Sequence, residues 1–505
     1  MSELTSRGTG ISAMAVVVIV IIGVAGFGIG FLMGGGLGPG PTTTPTTTPT
    51  TTPSGPENTL HILTRHSTAI QNLYEAEFLA TDIADEYNIT DIEWQDPYDY
   101  LWGPILEEGW ADVIWGGGPT VFDNLISDEY LEPWTSTRMV AAAARVPDTY
   151  AGVDLKRSSG GDIMWVSAAT SGFGFTVNDY FTDLYDLPNS TIAANWTDLA
   201  SPVLAQYLPV LPTVAVADAY ASSSVRRAYE IITQGYGWEE GWSVLARMVG
   251  NGGFYSGSSA VKEAAEQGAV GYGLTIDFYG FQSTNVNPNV VYISPGDYNI
   301  VNGDPIAISS TSTQKLLAEV FVDYVLTAEG QAVWTNPEAL RLPVIEAAFD
   351  EPNADEFWGP FLHDVYTETA ASVIASGFEF NDTLSAITSY SYRAYFQAVF
   401  TNAHSYLADC WAAIANAYLN GTFVQADVDF WAGEMAAMLD VVGDGNTTYG
   451  FRGGLFDLDK AIELDAAMKD NIDGYRTLFQ SQWNAAAIAQ YQAIQAFIEH
   501  GTPIP

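Results

Sequence analysis

The chain has 505 residues, 60 acidic against 17 basic, for a formal net charge of −43, although only 15% of its residues are charged. This length allows two or three domains with large cores, and the shortage of cations excludes a nucleic-acid partner, because no basic surface is available to neutralise phosphate. The lone cysteine, Cys410 in LADCWAAIANA, reads as a buried small hydrophobe and excludes an intramolecular disulfide framework or a cysteine-rich metal centre.

The first segment is MSELTSRG, followed by a stretch from Thr9 to Gly36 without a charged residue. Residues 9–37 are long and apolar enough for a transmembrane helix, and Arg7 as the only positive flank favours the N-terminus inside. The Thr/Pro repeat of residues 38–57 cannot bury a core and is expected to stand off as an extended stalk. Asn-x-Ser/Thr sequons follow at Asn88, Asn189, Asn195, Asn381, Asn420 and Asn446, all downstream of the apolar segment, as an external glycoprotein requires. The chain is therefore read as anchored in the cytoplasmic membrane by its N-terminal helix, with the rest at the cell surface. Acidity of this kind suits an acidic habitat or salt adaptation, and the two stay open.

After the stalk, strand and helix patterns alternate. TLHILTRH (59–66) reads as a strand, AIQNLYEAEFLATDIADEY as a helix, ITDIEWQD as a second strand, Tyr98 to Glu108 as a second helix and Ala111 to Trp115 as a third strand. Three such units predict an α/β fold with a parallel, doubly wound sheet. Three glycines then lead into Pro119, which suits the first turn of a helix. In such sheets ligands bind beyond the carboxyl ends of the strands, where helix N-termini leave backbone N–H groups free. Arg65, His66, Ser67 and Thr68 fall on that edge, as do Gly117 and Gly118. Thr170, Ser171 and Gly172 lie near a crossover, and Ser222, Ser223 and Ser224 precede a helical run as a cap signature, a pattern repeated at Ser256, Ser258 and Ser259. Each serine cluster reads equally as a helix cap without ligand. Arg226 and Arg227 sit within the helical run and are read as surface residues. Beyond residue 345, four Ala-rich apolar stretches predict helices whose aromatic stripes are core.

The helix starts together with Arg65 and His66 point to an anionic ligand. Trp94, Trp102 and Trp115 keep a stacked sugar open. No nucleophile elbow, zinc-protease helix or phosphate loop is present, so no enzyme, cofactor or metal centre is expected. VVGDGNTT lacks the remaining ligand ladder of a calcium loop.

SRG followed by TGISAMAVVV resembles an archaeal class III, prepilin-type signal peptide. The resemblance implies a leader of residues 1–8 cut after Gly8, with Gly10 as the alternative, and retention of the apolar helix; an uncleaved signal anchor is the other reading. LTRHSTAIQNLYEAEF, ADVIWGGGPTVFDNLISDEYLEPW, SGFGFTVND, GAVGYGLTIDFYGF and DPIAISSTSTQKLLAEVFVDYVLTAEGQAVW, in this order, resemble the extracellular solute-binding proteins of ABC importers, in the ferric-iron, thiamine and phosphonate-type branch. That resemblance covers residues 58–345. It implies a two-lobed, type II periplasmic-binding-protein-like fold, a small ligand in the interlobe cleft, hinge closure and a membrane permease as partner. It also adds Thr275, Asp277 and Tyr279 as ligand-contacting residues, and it keeps open an iron complex held by Tyr98, Tyr100, Tyr255 and Tyr279, although the adjacent tyrosine pair common in the ferric branch is absent, or a cationic ligand paired with Asp277. Residues 346–505 are then additional C-terminal helices packed on the second lobe. The competing reading is a structural cell-surface or filament subunit, self-associating through the N-terminal helix, whose binding-protein fold holds no ligand.

Overall fold

The computed structural model describes residues 58–441, 453–469 and 474–501. The leader, the apolar segment of residues 9–37, the stalk and the Asn446 loop lie outside the described residues. Among those described, no helix is long and apolar enough to cross a membrane.

The chain starts with β1 (Asn58–Thr64), α1 (Thr68–Leu79), α2 (Asp82–Glu86), β2 (Ile89–Gln95), α3 (Trp102–Glu107), β3 (Val113–Trp115), α4 (Pro119–Ser127) and α5 (Thr137–Arg145). The single helix expected after β1 is two, because the Thr81 hydroxyl accepts from the backbone N–H of Ala84 and starts α2 afresh. A hairpin of β4 (Thr149–Tyr150) and β5 (Val153–Asp154) leads to β6 (Lys156–Ser159) and the 17-residue β7 (Asp162–Asn178). Then come α6 (Asp179–Leu184), β8 (Val214–Ala217), α7 (Ser223–Gly235), α8 (Trp238–Gly250), β9 (Gly252–Tyr255) and α9 (Ser258–Glu266). The strands end with β10 (Tyr272–Ile276), α10 (Asp277–Val286), β11 (Val290–Ile293) and β12 (Val301–Ile308), followed by α11 (Lys315–Val325) and α12 (Ala328–Ala332).

These strands run in the order β2-β1-β3-β12-β7-β10-β8-β9. Pairing is parallel among β1, β2 and β3 and among β8, β9 and β10, but β12 and β7 are antiparallel to their neighbours. The sheet is thus mixed, which corrects the expectation of a parallel one. The cause is β7. It pairs with β12 from Val166 to Gly172 and with β10 from Phe173 to Val177, so it belongs to two strand groups at once. One group holds β1, β2, β3 and β12; the other holds β8 to β11. β7 and the β11–β12 connection carry the chain between them.

β3 and most of β7 are buried, and β1 is buried at Leu60, Ile62, Leu63 and Thr64, which suits their apolar content. Trp102 and Trp115 are fully buried in the first group, and Trp115 meets Tyr74 and Trp334 edge-on, with ring centroids 4.7 and 5.6 Å away. These tryptophans are core, not a sugar platform; Trp94 is partly buried and donates to Glu75. Cys410 is buried as expected, and burial pushes its thiol up to about 12.

The remaining chain forms α13 (Trp358–Ser376), α14 (Asp382–Ile387), α15 (Ser389–Phe396), α16 (His404–Leu419), α17 (Gln425–Met435), α18 (Leu458–Lys469) and α19 (Tyr475–His500). Helices α16 and α17 pack on α8 of the second group, with Trp411 and Trp483 in the core. However, α14 packs on α4 of the first group, and the Tyr150 hydroxyl of the first group donates to the carbonyl of Tyr366 in α13. The helical region therefore spans both groups rather than resting on the second alone.

Candidate functional site

The triple glycine after β3 has φ of +86°, +100° and +87° at Gly116, Gly117 and Gly118, which side-chain-bearing residues rarely adopt. A Cβ at Gly116 would lie 3.2 Å from the His66 ring, and one at Gly117 would lie 3.2 Å from Cγ of Arg65. The glycines thus let the start of α4 close on the loop after β1. Gly117 and Gly118 form part of one wall of a cavity of about 740 Å³, open solvent at its mouth included, situated where β7 changes partners.

The starts of five helices reach this cavity. Ser67 caps α1, Gly118 caps α4, Ser223 and Ser224 open α7, Ser258 opens α9, and Phe278 and Tyr279 open α10. Each N-terminus carries about half a positive charge and unpaired N–H groups. The hydroxyl of Ser258 lies 2.6 Å from that of Ser222 and 2.8 Å from that of Ser224, joining α7 to α9.

Four arginines complete the lining: Arg65, Arg226, Arg227 and Arg341. Arg341 is 4% exposed, and its guanidinium sits over the rings of Phe278 and Trp334, 4.6 and 5.1 Å from their centroids. It donates to Asp304 at 2.6 Å and to Ser171 at 3.0 Å, and its Nη1 is 3.2 Å from Nδ1 of His66. Arg226 and Arg227 are 3% and 4% exposed, so the expectation of surface arginines is corrected. Their charges are met by Asp99, Glu230 and Asp382 at 3.3–3.5 Å, and Arg227 also donates to Thr120 at 2.6 Å. Arg65 donates to the carbonyls of Asp96 and Pro97 and lies over Tyr98.

Burial dominates the titration of His66 and Asp277. It depresses His66 to about 4, against the opposing pull of Asp304, so this ring is neutral at pH 7. It raises Asp277 to about 7, although the N–H groups of Gly172 and Phe278 donate to that carboxyl at 2.6 and 2.7 Å. For Asp99, burial is outweighed by the guanidinium groups of Arg393 and Arg226, and its carboxyl is held below the usual range. Among the residues that line the cavity, Asp304 is the only carboxylate.

Of the residues singled out in the sequence, Arg65, His66, Ser67, Gly117, Gly118, Ser171, Ser223, Ser224, Ser258 and Tyr279 line this cavity. Thr68 lines a neighbouring one that shares Arg65, His66 and Tyr279. The others stand behind the wall. Ser222 caps α7 by accepting from Val225, and Gly172 and Asp277 bond each other. Thr170 is buried in β7 beside Leu342, and Thr275 bonds the carbonyl of Ile276. The second serine pattern caps differently, since Gly257 and not a serine precedes α9. Arg226, Arg227, Asn302, Asp304 and Arg341 are lining residues that sequence reading missed. The available signal for Arg341 was a lone arginine inside the apolar run ALRLPVI of a cation-poor chain. Tyr279 is the only tyrosine in the lining, and among the described residues no three His, Cys, Asp or Glu side chains are grouped to hold a metal ion. Of the sequons, Asn88, Asn189, Asn195, Asn381 and Asn420 are all at least partly exposed.

Residues 111–358 match the family model of bacterial extracellular solute-binding proteins, a match that ends at the first residue of α13. The phosphoglycerate transport regulatory protein PgtC of Salmonella typhimurium is 27% identical over 190 residues, 37% of this chain and 45% of that protein. The PgtC protein of Salmonella typhi gives the same values. The chain thus spans less than half the length of these curated relatives. Among solved structures, the periplasmic binding protein AfuA of Actinobacillus pleuropneumoniae, with exogenous fructose-6-phosphate bound, aligns with a TM-score of 0.49 and 14% identity, covering 62% of this chain and 98% of that one. Iron-bound HitA of Pseudomonas aeruginosa aligns with a TM-score of 0.45 and 17% identity, covering 64% of this chain and 100% of that one.

Proposed function

We propose that this chain is an extracellular solute-binding protein that holds a small anionic solute, carrying a phosphate or a carboxylate, at the β7 crossover and delivers it to an ABC permease. The observation that carries this reading is the convergence of five helix N-termini and four arginines on a cavity with one carboxylate in its lining. Oriented N–H dipoles and buried guanidinium groups recognise oxyanions without needing mobile counterions. The partial match to a phosphoglycerate transport protein supports a phosphorylated solute over a plain carboxylate. An iron complex is the weaker choice, since a single tyrosine faces the cavity. Tethering by residues 9–37 after removal of the leader, a glycosylated exterior and self-association through the apolar helix belong to the same proposal.

Thermal unfolding of the full chain against inorganic phosphate, phosphoglycerate, sulfate, carboxylates, ferric citrate, thiamine and sugars tests it. A solute that binds only the folded state stabilises by about 2.7 kcal/mol at a hundredfold excess over its Kd. A concentration-dependent rise with a phosphate or carboxylate compound, lost in Arg226→Met, is the expected result. A rise confined to ferric citrate, thiamine or a sugar overturns the anion reading; no rise with any of them favours the structural-subunit reading.

A further inference from the structure

We infer that α14 and α15, which lie beyond the end of the family match, form a clasp that ties the two strand groups together behind the cavity and positions Arg226 and Arg227 in its wall. The ligand consequence rests on the anion-site reading above; the conformational consequence does not.

Two buried bridges make the clasp. In the first, Asp99, from the turn before α3 in the first group, is shared by Arg226 of α7 in the second group and Arg393 of α15, at 3.4 and 3.3 Å. The three side chains are 8%, 4% and 2% exposed, so water compensates little of their charge, and besides one another only Glu230 forms an ion pair with them, at 3.5 Å from Arg226. Arg393 is itself held by the carbonyl and hydroxyl of Ser389 and lies over the rings of Tyr220 and Tyr390. In the second bridge, Ser385 of α14 donates to Glu230 of α7 at 2.7 Å and lies 3.1 Å from the hydroxyl of Thr120 in α4. Arg227 closes the ring by donating to Thr120 and by ion-pair contacts with Glu230 and with Asp382 of α14 at 3.4 and 3.3 Å.

The physical consequence follows from desolvation. Separating the strand groups would pull Asp99 from Arg226 and Thr120 from Arg227, exposing or orphaning buried charges that apolar packing cannot compensate. Two-lobed proteins with bare crossovers swing about the hinge. Here the directional bonds to a third element keep the groups at one spacing, with or without solute, and hold both guanidinium groups where helix starts converge.

The distance between the groups tests the clasp. Val140 of α5 and Tyr180 of α6 are 54% and 65% exposed, one in each group, and the sole native cysteine is buried, so a Val140→Cys, Tyr180→Cys full chain takes a spin label at each site. Pulsed dipolar spectroscopy should give one narrow distance population. Arg393→Met and Asp382→Asn should broaden or shift it and weaken binding of inorganic phosphate by about tenfold, while Arg393→Lys should restore the narrow population. Met435→Ala, a core truncation in α17 that takes no part in either bridge, should lower the melting temperature and leave the distance unchanged. Folded Arg393→Met and Asp382→Asn with unaltered distances would overturn the clasp, as would equal broadening in Met435→Ala. If Arg393→Met fails to fold, Asp382→Asn, at a partly exposed carboxylate, decides. Broadening in a protein that never bound phosphate upholds the clasp and counts only against the anion reading.

Discussion

Arg341→Met isolates the electrostatics of the cavity floor. The methionine fills most of the volume between Phe278 and Trp334, so the change removes charge more than packing. What remains is Asp304, 7% exposed, beside a His66 that burial keeps neutral. Removing one partner of a buried pair costs about 3–5 kcal/mol, because the other charge is left without compensation. Loss of the contact with two rings adds about 1 kcal/mol or less, since part of that contact is apolar. A destabilisation of about 3–6 kcal/mol is therefore expected in urea unfolding at pH 7. Asp304→Asn alone should also destabilise, but Asp304→Asn combined with Arg341→Met should recover part of the loss, for a coupling of at least about 2 kcal/mol. Solute binding should stay lost in the double variant, since the cation is gone in both, a penalty of about 2–5 kcal/mol. Strictly additive stabilities would refute the pairing, and binding restored by the double variant would refute Arg341 as an anion contact.

Asp277 and His66 predict opposite pH effects. Asp277 keeps a proton in the folded state that the unfolded chain releases, so its contribution is complete below about pH 4 and is lost as the pH rises toward 7. Asp277→Asn should gain about 4 kcal/mol relative to the parent across that window; parallel stability curves would refute the burial argument. His66 does the reverse: the folded state excludes a proton that the unfolded chain takes up, so stability falls as pH drops from about 6.5 to 4, and His66→Gln should flatten that acid limb in unfolding measured against pH. Gly117→Ala should cost about 1–3 kcal/mol in thermal unfolding, because φ is +100° and the new methyl meets Arg65. Gly160→Ala, in open space, should cost less. Ser258→Ala should cost about 0.5–1.5 kcal/mol by deleting the hydroxyl link between α7 and α9, read by the same assay.

Much of the first strand group was legible because its signals are local. The apolar runs of β1 and β3, the cap at Ser222 and the glycine turn before Pro119 depend on backbone geometry and near neighbours. The break between α1 and α2 was local too, but a single threonine outweighed a continuous apolar period. The partner change within β7 was visible only as a crossover near Gly172, since one continuous strand has no turn signal to mark where its neighbours change.

Arg226, Arg227 and Arg341 show where local reading ends. A helical period says which residues share a face, but not what covers that face. Arg226 and Arg227 looked solvated because, apart from Glu230 on the same helix, their partners Asp99, Thr120 and Asp382 lie more than a hundred residues away in sequence. Local patterning carries the alternating elements, the tether-like N-terminal composition, the capping serines and the scarcity of cations. That three of those few cations are buried side by side around helix starts emerges from packing alone. The reason is that compensation of a buried charge is a property of three-dimensional neighbours, and those neighbours come here from both strand groups and from the C-terminal helices.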